Sequence, residues 1–350
     1  MKKMVLIAIV ISLLASCGAN KAGIAEPVYS HIKIDTLFSG KLSSRALAVD
    51  GNSVWYAGNN GNYGRLSLNG GTDSHWNMSR ENQKTEFRSM AQTSKYVFIL
   101  SIENPALLYR IAKDGSEIKQ VYEEHHDKVF YDSMQFFNDT DGMAVGDPTE
   151  DCPSVIRTAD GGATWEKIPC SKLPKLAEGE AFFAASNTNL ILKGTKAWMV
   201  SGGKKARIFY SADKGDTWTA YETPIIQGQT MTGTFTADFY NESIGLLAGG
   251  NYEKPEQNSQ NKAITLDGGK TWKLIADNQG FGYASCIQYF PGSGGKSIVS
   301  VGATGVFYSR DSGMSWQKLA DDKDFLTIRF LNGKTAVAAG KNRIVRITFQ

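Results

Sequence analysis

The chain has little of what most catalytic centres are built from. Its 350 residues hold four histidines, and no Ser-His-Asp constellation can be assembled from them. The four cysteines show no paired metal-ligand spacing. Glu123-Glu124-His125-His126-Asp127 is the one metal-like run, but neighbours along an extended chain point in opposite directions and no spaced His or Cys follows, so no metal is expected. Glycine pairs such as those in Gly58-Asn59-Asn60-Gly61 open no helix, which excludes a phosphate cradle, and there is no dinucleotide fingerprint. No cofactor is expected. Sustained helical periodicity is missing as well.

Long apolar runs are scarce, and the longest lies at the start. Lys2 and Lys3 precede the run Met4 to Leu14, too short for a mature membrane span and suited to a secretory signal. Leu14-Ala15-Ser16-Cys17 then resembles a bacterial lipobox, in which Cys17 is acylated and becomes the mature N-terminus. The expected organisation is a signal peptide over residues 1–16, a lipidated tether over 17–29 and one folded domain over 30–350. The mature protein is then an exported, membrane-anchored lipoprotein facing the periplasm or the cell exterior. Removing residues 1–16 takes away two lysines and no acids, so the formal charge falls from +3 to +1. Such a surface has no electrostatic footprint for nucleic acid.

What the chain does have is repetition. Thr158-Ala159-Asp160-Gly161-Gly162-Ala163-Thr164-Trp165 returns around Asp213, Asp267 and Asp311, each time ending in Trp. The intervals between these tryptophans are 53 (165 to 218), 54 (218 to 272) and 44 (272 to 316), near the period of a four-stranded propeller blade. Within each octapeptide the Asp carboxylate is expected to accept backbone N–H groups two or three residues on. The Gly two residues after the Asp supplies a positive φ, and the Trp plugs the hairpin. The pattern resembles the Asp-box, or BNR repeat, of sialidases and related β-propellers. That resemblance gives Asp160, Asp213, Asp267 and Asp311 a structural role and no catalytic one.

Short Val/Ile/Phe/Tyr-rich runs between Gly, Asn and Asp turns continue through the rest of the domain. Counting the degenerate repeats near Ser67 and Asp114 predicts an all-β fold, a single seven-bladed β-propeller of four-stranded antiparallel blades. Six or eight blades remain alternatives. The last module, Leu326 to Phe349, is a strand short, and the orphan run His31 to Phe38 is expected to complete it, closing the ring by pairing the N- and C-terminal strands. Cys152 and Cys170 each lie nine residues from Gly161, so they are expected to face each other across a hairpin as a disulfide. Cys286 sits in an apolar strand as a buried thiol.

Propeller geometry places the octapeptide turns on one face and leaves the other for a central pocket. Arg45, Arg88, Asp132 and Glu180 begin inner strands on that second face, with Asp147, Arg207 and Tyr252 supplied by its loops. Arg45, Arg88, Arg207 and Tyr252 are the candidate ligand-binding residues. Asp132, Asp147 and Glu180 are the candidate carboxylates for two-acid glycoside hydrolysis. The alternative is that these charges pair with one another and fix loop geometry. Tyr109-Arg110-Ile111-Ala112 resembles the sialidase arginine motif but lacks its proline and falls on an outer strand.

Whole modules also resemble exported propellers related to the photosystem II stability and assembly factors. The resemblance is carried by Arg45-Ala46-Leu47-Ala48-Val49, Asp132-Ser133-Met134 with Gly146-Asp147-Pro148, Gly179-Glu180-Ala181-Phe182-Phe183-Ala184-Ala185-Ser186, and Gly249-Gly250-Asn251-Tyr252. It implies a monomeric, non-catalytic binding or assembly module for an envelope protein or glycan, working through the loop face. A sialidase-like glycoside hydrolase is the alternative.

Overall fold

A computed structural model of the protein describes residues 28–79 and 85–350. The signal run and Cys17 lie outside the described residues. Runs of β-branched and aromatic residues form strands, and the only helical element among the described residues is a single 3-10 turn at Cys170–Lys172. Alternation along each central strand sends successive side chains into two different cores. Val97 and Ile99 pack with Trp55 and Leu107 on one side, whereas Phe98 and Leu100 pack with Met134 and Ile156 on the other. Each blade is thus glued to both neighbours by one strand's two faces.

The strands form six sheets, four of four strands and two of six, and the expectation of seven four-stranded blades is corrected to six. One feature accounts for the lower count. Strands Ile32–Asp50 and Thr335–Phe349 run on through breaks in register, so the modules at the two chain ends share one six-stranded sheet. The other six-stranded sheet gains two short strands, Glu180–Ala181 and Gly202–Gly203, beside Thr232–Phe239. Glycine is required there, because a Cβ on Gly233 would stand 2.3 Å from the Cα of Gly202. The terminal strands pair antiparallel from Ile32↔Phe349 to Ser43↔Lys341, which closes the ring and leaves no long free edge there.

The four octapeptides sit at the turns between third and fourth strands. In the first, Asp160 accepts the Thr158 hydroxyl at 2.8 Å, the Thr164 N–H at 3.0 Å and the Thr164 hydroxyl at 2.7 Å. The same three bonds recur at Asp213, Asp267 and Asp311. The N–H shared by all four comes from four residues on, past two left-handed residues in each turn. Donors three residues on also contribute, Lys270 to Asp267 at 3.1 Å and Ala163 to Asp160. Gly162 has φ +76°, and a Cβ there would meet the Phe98 ring of the adjacent blade at 2.2 Å. Trp218, Trp272 and Trp316 each donate their indole N–H to the glycine carbonyl of their own turn, at 3.1, 2.9 and 2.9 Å. The turns therefore lock themselves and lean on a neighbouring blade.

Cys152 and Cys170 are joined by a disulfide with Cα atoms 5.6 Å apart, and Cys286 is a free buried thiol. No helix among the described residues is long and apolar enough to cross a membrane.

Candidate functional site: two cavities separated by an axial plug

Residues Phe182 to Asn189 decide what the axis of the propeller offers. The expected inner strand beginning at Glu180 is not there; Glu180–Ala181 pairs instead with Gly202–Gly203, and the inner strand of that blade is Leu190–Lys193. The intervening segment runs down the axis and is held by inner strands from around the ring. Arg45 donates to the Ala185 carbonyl at 3.0 Å, the Ser186 hydroxyl donates to the Ser285 carbonyl at 2.6 Å, and Asn187 bridges the Met90 carbonyl and Met134 N–H at 2.7 and 2.8 Å. Thr188 meets Thr236 hydroxyl to hydroxyl at 2.7 Å. Backbone carbonyls and N–H groups that would otherwise line an open channel find partners in this plug. It leaves one cavity at each end.

The cavity on the expected loop face is a cleft of about 210 Å³. Arg45, Arg88 and Tyr252 line it, as the sequence reading placed them, together with Phe183, Phe235 and Tyr283. Phe183 and Phe235 stack at 4.0 Å, and Tyr283 stands edge-on between Phe235 and the half-exposed Tyr252 at 4.8 and 5.2 Å. Burial pushes the Tyr283 phenol up to about 12 despite nearby Arg45. Arg88 pairs with Glu86 at 2.7 Å and covers the Phe130 ring. Arg45 has no ion-pair partner among the described residues: its guanidinium donates to a carbonyl, its Nε is buried without a partner, and burial followed by repulsion from Arg88 lowers its pKa against the weaker pull of Glu86, the partner of Arg88. The cleft floor is therefore electropositive and aromatic.

The candidate carboxylates do not line this cleft. Glu180 is fully spoken for: it takes the Ser201 hydroxyl at 2.6 Å, the Ala177 N–H at 2.8 Å and the Arg207 guanidinium at 2.5 Å. Arg207 is thereby withdrawn from ligand binding, and it spends another N–H on the Lys175 carbonyl at 2.9 Å. Asp132 is wholly buried, neither of its oxygens has a hydrogen-bond partner, and burial and the Asp147 charge push its pKa well up. Asp147 accepts the Phe182 N–H at 2.7 Å at the head of the plug, and burial raises it to about 6. Asp132 is buried behind the plug, and Asp147 beside it is half-buried. Glu180 and Arg207 pair with each other, as the alternative reading of the charges has it, whereas Arg45, Arg88 and Tyr252 line one cleft.

The second cavity, about 450 Å³, opens at the octapeptide end of the axis, where sequence reasoning placed nothing. Gln92, Gln135, Gln288 and Arg329 reach it from the last turn of inner strands. A signal for them exists in the repeats Met134-Gln135-Phe136, Ile287-Gln288-Tyr289 and Ile328-Arg329-Phe330, where a polar residue stands between two apolar ones at one strand register. The aromatic residues Phe183, Phe235 and Tyr283 of the upper cleft had no such signal. Among the described residues no group of three His, Cys, Asp or Glu side chains is placed to hold a metal.

Solved structures agree on the architecture. It is a β-propeller. YCF48 bound to a D1 peptide superposes with a TM-score of 0.66 over 93% of this chain and 99% of that one, at 13% identity. YCF48 from Cyanidioschyzon merolae gives 0.62 over 91% and 98%, at 11% identity. The GH74 xyloglucanase from Xanthomonas campestris gives 0.60 at 11% identity, with 90% of this propeller covering 53% of that enzyme. No family profile and no curated protein matches the chain. At these identities the likeness is one of fold.

Proposed function

We propose that this propeller is a non-catalytic binding module that takes an acidic segment of an envelope protein into the upper cleft. The observation that carries the reading is Arg45, a largely buried guanidinium without an ion-pair partner beside a second arginine. A buried cation left this way is costly unless an anion arrives, and arginine presents a planar fork to carboxylates. The aromatic walls supply apolar contact around it. Two of the similar structures are YCF48, one of them holding a peptide, which supports a peptide as the ligand and an assembly role as its use. The octapeptides, read as Asp-boxes, serve as structural fasteners.

The glycoside hydrolase reading loses ground because its acids are locked in an ion pair, as Glu180 is, buried behind the plug, as Asp132 is, or engaged by the plug's own backbone, as Asp147 is. Lipidation of Cys17 and export belong to the same proposal. They are checked by mass spectrometry of the N-terminal peptide and by the release of a Cys17→Ala variant from membranes.

Binding of fluorescent acidic peptides is the test. Arg45→Gln and Arg88→Gln are each expected to weaken it about tenfold or more, and added salt is expected to weaken it further. Peptide affinity that is indifferent to both arginines, or no affinity for any acidic peptide, removes the proposal.

A further inference from the structure

The lower cavity lies at the opposite end of the axis from the upper cleft and shares no lining residue with it. Its amides have a structural use that accounts for only a small part of their hydrogen-bonding capacity. Gln92 donates to the Val49 carbonyl at 2.6 Å, and Gln135 accepts the Leu192 N–H at 3.0 Å; each ties its inner strand to the neighbouring one. That leaves the Gln92 Oε1, which is buried without a partner, and the Gln135 amide N–H groups. The Gln288 side chain has no hydrogen bond to any described residue and keeps its whole amide for the cavity. Three amides thus present both donors and acceptors to one open cavity. The Gln92 Oε1, buried and left open in this way, needs a partner.

The charge inside selects the kind of partner. Arg329 is the only charged side chain that lines the cavity. Its guanidinium donates to the Ile328 carbonyl at 2.8 Å, the Thr327 hydroxyl at 2.9 Å and the Ser186 carbonyl at 2.9 Å, and it also feels the buried Asp238. Its N–H groups are turned toward the protein, so it closes the inner end of the cavity instead of recruiting an anion. The remaining walls include the rings of Phe136, Tyr289 and Phe330. Amides that offer donors and acceptors together, flanked by flat apolar faces, match a molecule with hydroxyls on its edge and C–H groups on its faces. About 450 Å³ falls within the range of small-molecule sites.

We infer that the lower cavity binds a neutral mono- or disaccharide through the free amide groups of Gln92, Gln135 and Gln288, with the aromatic walls against the sugar faces. This would give the protein two ligand sites at opposite ends of one axis, an electropositive one for an acidic peptide and a neutral one for a sugar.

The experiment is ligand-observed saturation-transfer NMR with thermal-shift titration of the full chain. The probes are glucose, galactose, N-acetylglucosamine, maltose and cellobiose, with triglycine as the non-sugar probe. At least one sugar is expected to receive saturation and to raise Tm. Gln288→Leu is expected to weaken that sugar about tenfold or more; since the Gln288 side chain bonds to no described residue, the variant should fold, and Gln288→Ala provides a second one. An acidic peptide is expected to leave the sugar signal in place. The inference is overturned if none of the five sugars binds or if both Gln288 variants bind as tightly as the parent. Displacement of the sugar by the acidic peptide, or triglycine binding in place of every sugar, overturns it as well.

Discussion

The aspartates at the octapeptide turns and the aspartates behind the axial plug are the same residue in opposite electrostatic surroundings. At the turns, burial is the largest single effect and disfavours the charge, but the hydroxyl and N–H groups of the following Thr and the preceding Thr or Ser together outweigh it. They hold Asp160, Asp213 and Asp267 at about 2. Behind the plug, burial dominates; Asp147 keeps one N–H and rises to about 6, and Asp132, also repelled by Asp147, is raised well above the ordinary carboxylate value. Burial and donors together explain the difference, because the donors at the turns outweigh the desolvation there and those behind the plug do not. The turns use charge to hold structure, and the axis stores it at a cost.

The sharpest break in that comparison is Glu180, which is as buried as the axial acids yet as well supplied with donors as the turns. Glu180→Ala strands Arg207 and is expected to cost about 3–5 kcal/mol, read by chemical denaturation. A loss below 1 kcal/mol would mean that the pair is solvated in solution.

Asp147→Asn should act in the opposite direction. The variant keeps an oxygen for the Phe182 N–H and removes a carboxylate whose folded pKa lies above its unfolded value near 4. Such a group contributes stability below about pH 4 that is lost as pH rises through 6. The variant is therefore expected to be about 2 kcal/mol more stable than the parent above pH 7 and equal to it near pH 4. Paired melts at the two pH values decide it, and a destabilised variant at both would show that the carboxylate is charged and satisfied.

Asp267→Ala opens one turn and is expected to cost about 1–2 kcal/mol at neutral pH, in the range of a lost cap. The turn aspartates carry the reverse pH signature, since their folded pKa lies below the unfolded one. Their contribution is present above about pH 4 and is lost as pH falls toward 2. The gap between parent and Asp267→Ala should close over that window, and a gap that persists at pH 2 would remove the carboxylate's charge from the account.

Smallest of all is Asp35→Asn on the surface pair with Lys33, 2.9 Å apart and well exposed. Less than about 0.5 kcal/mol is expected from it. A larger effect would make the terminal-strand closure itself depend on charge.

The repeated octapeptides, the alternation of apolar residues and the glycine-punctuated turns are local patterns, and each maps to local structure: turns that close on their own aspartate, strands with two buried faces, a ring sealed by its ends. The disulfide position was legible for the same reason, because a hairpin relates residues equidistant from its turn. Arg45, Arg88 and Tyr252 could be placed at one mouth because inner strands begin in register round an axis.

Tertiary structure alone decided the rest. The merging of the terminal modules into one sheet depends on whether two long strands break, and a repeat count does not contain that information. The axial plug depends on four residues, Ala185 to Thr188, finding their hydrogen-bond partners in segments that lie about 50 to 140 positions away. That single departure from the repeat locked Glu180 away from the cleft, buried Asp132 behind it, engaged Asp147 with its own backbone, and divided one channel into two cavities. Sequence determined the residues available at each strand end. Which of them face a ligand was settled by contacts between segments that no local pattern connects.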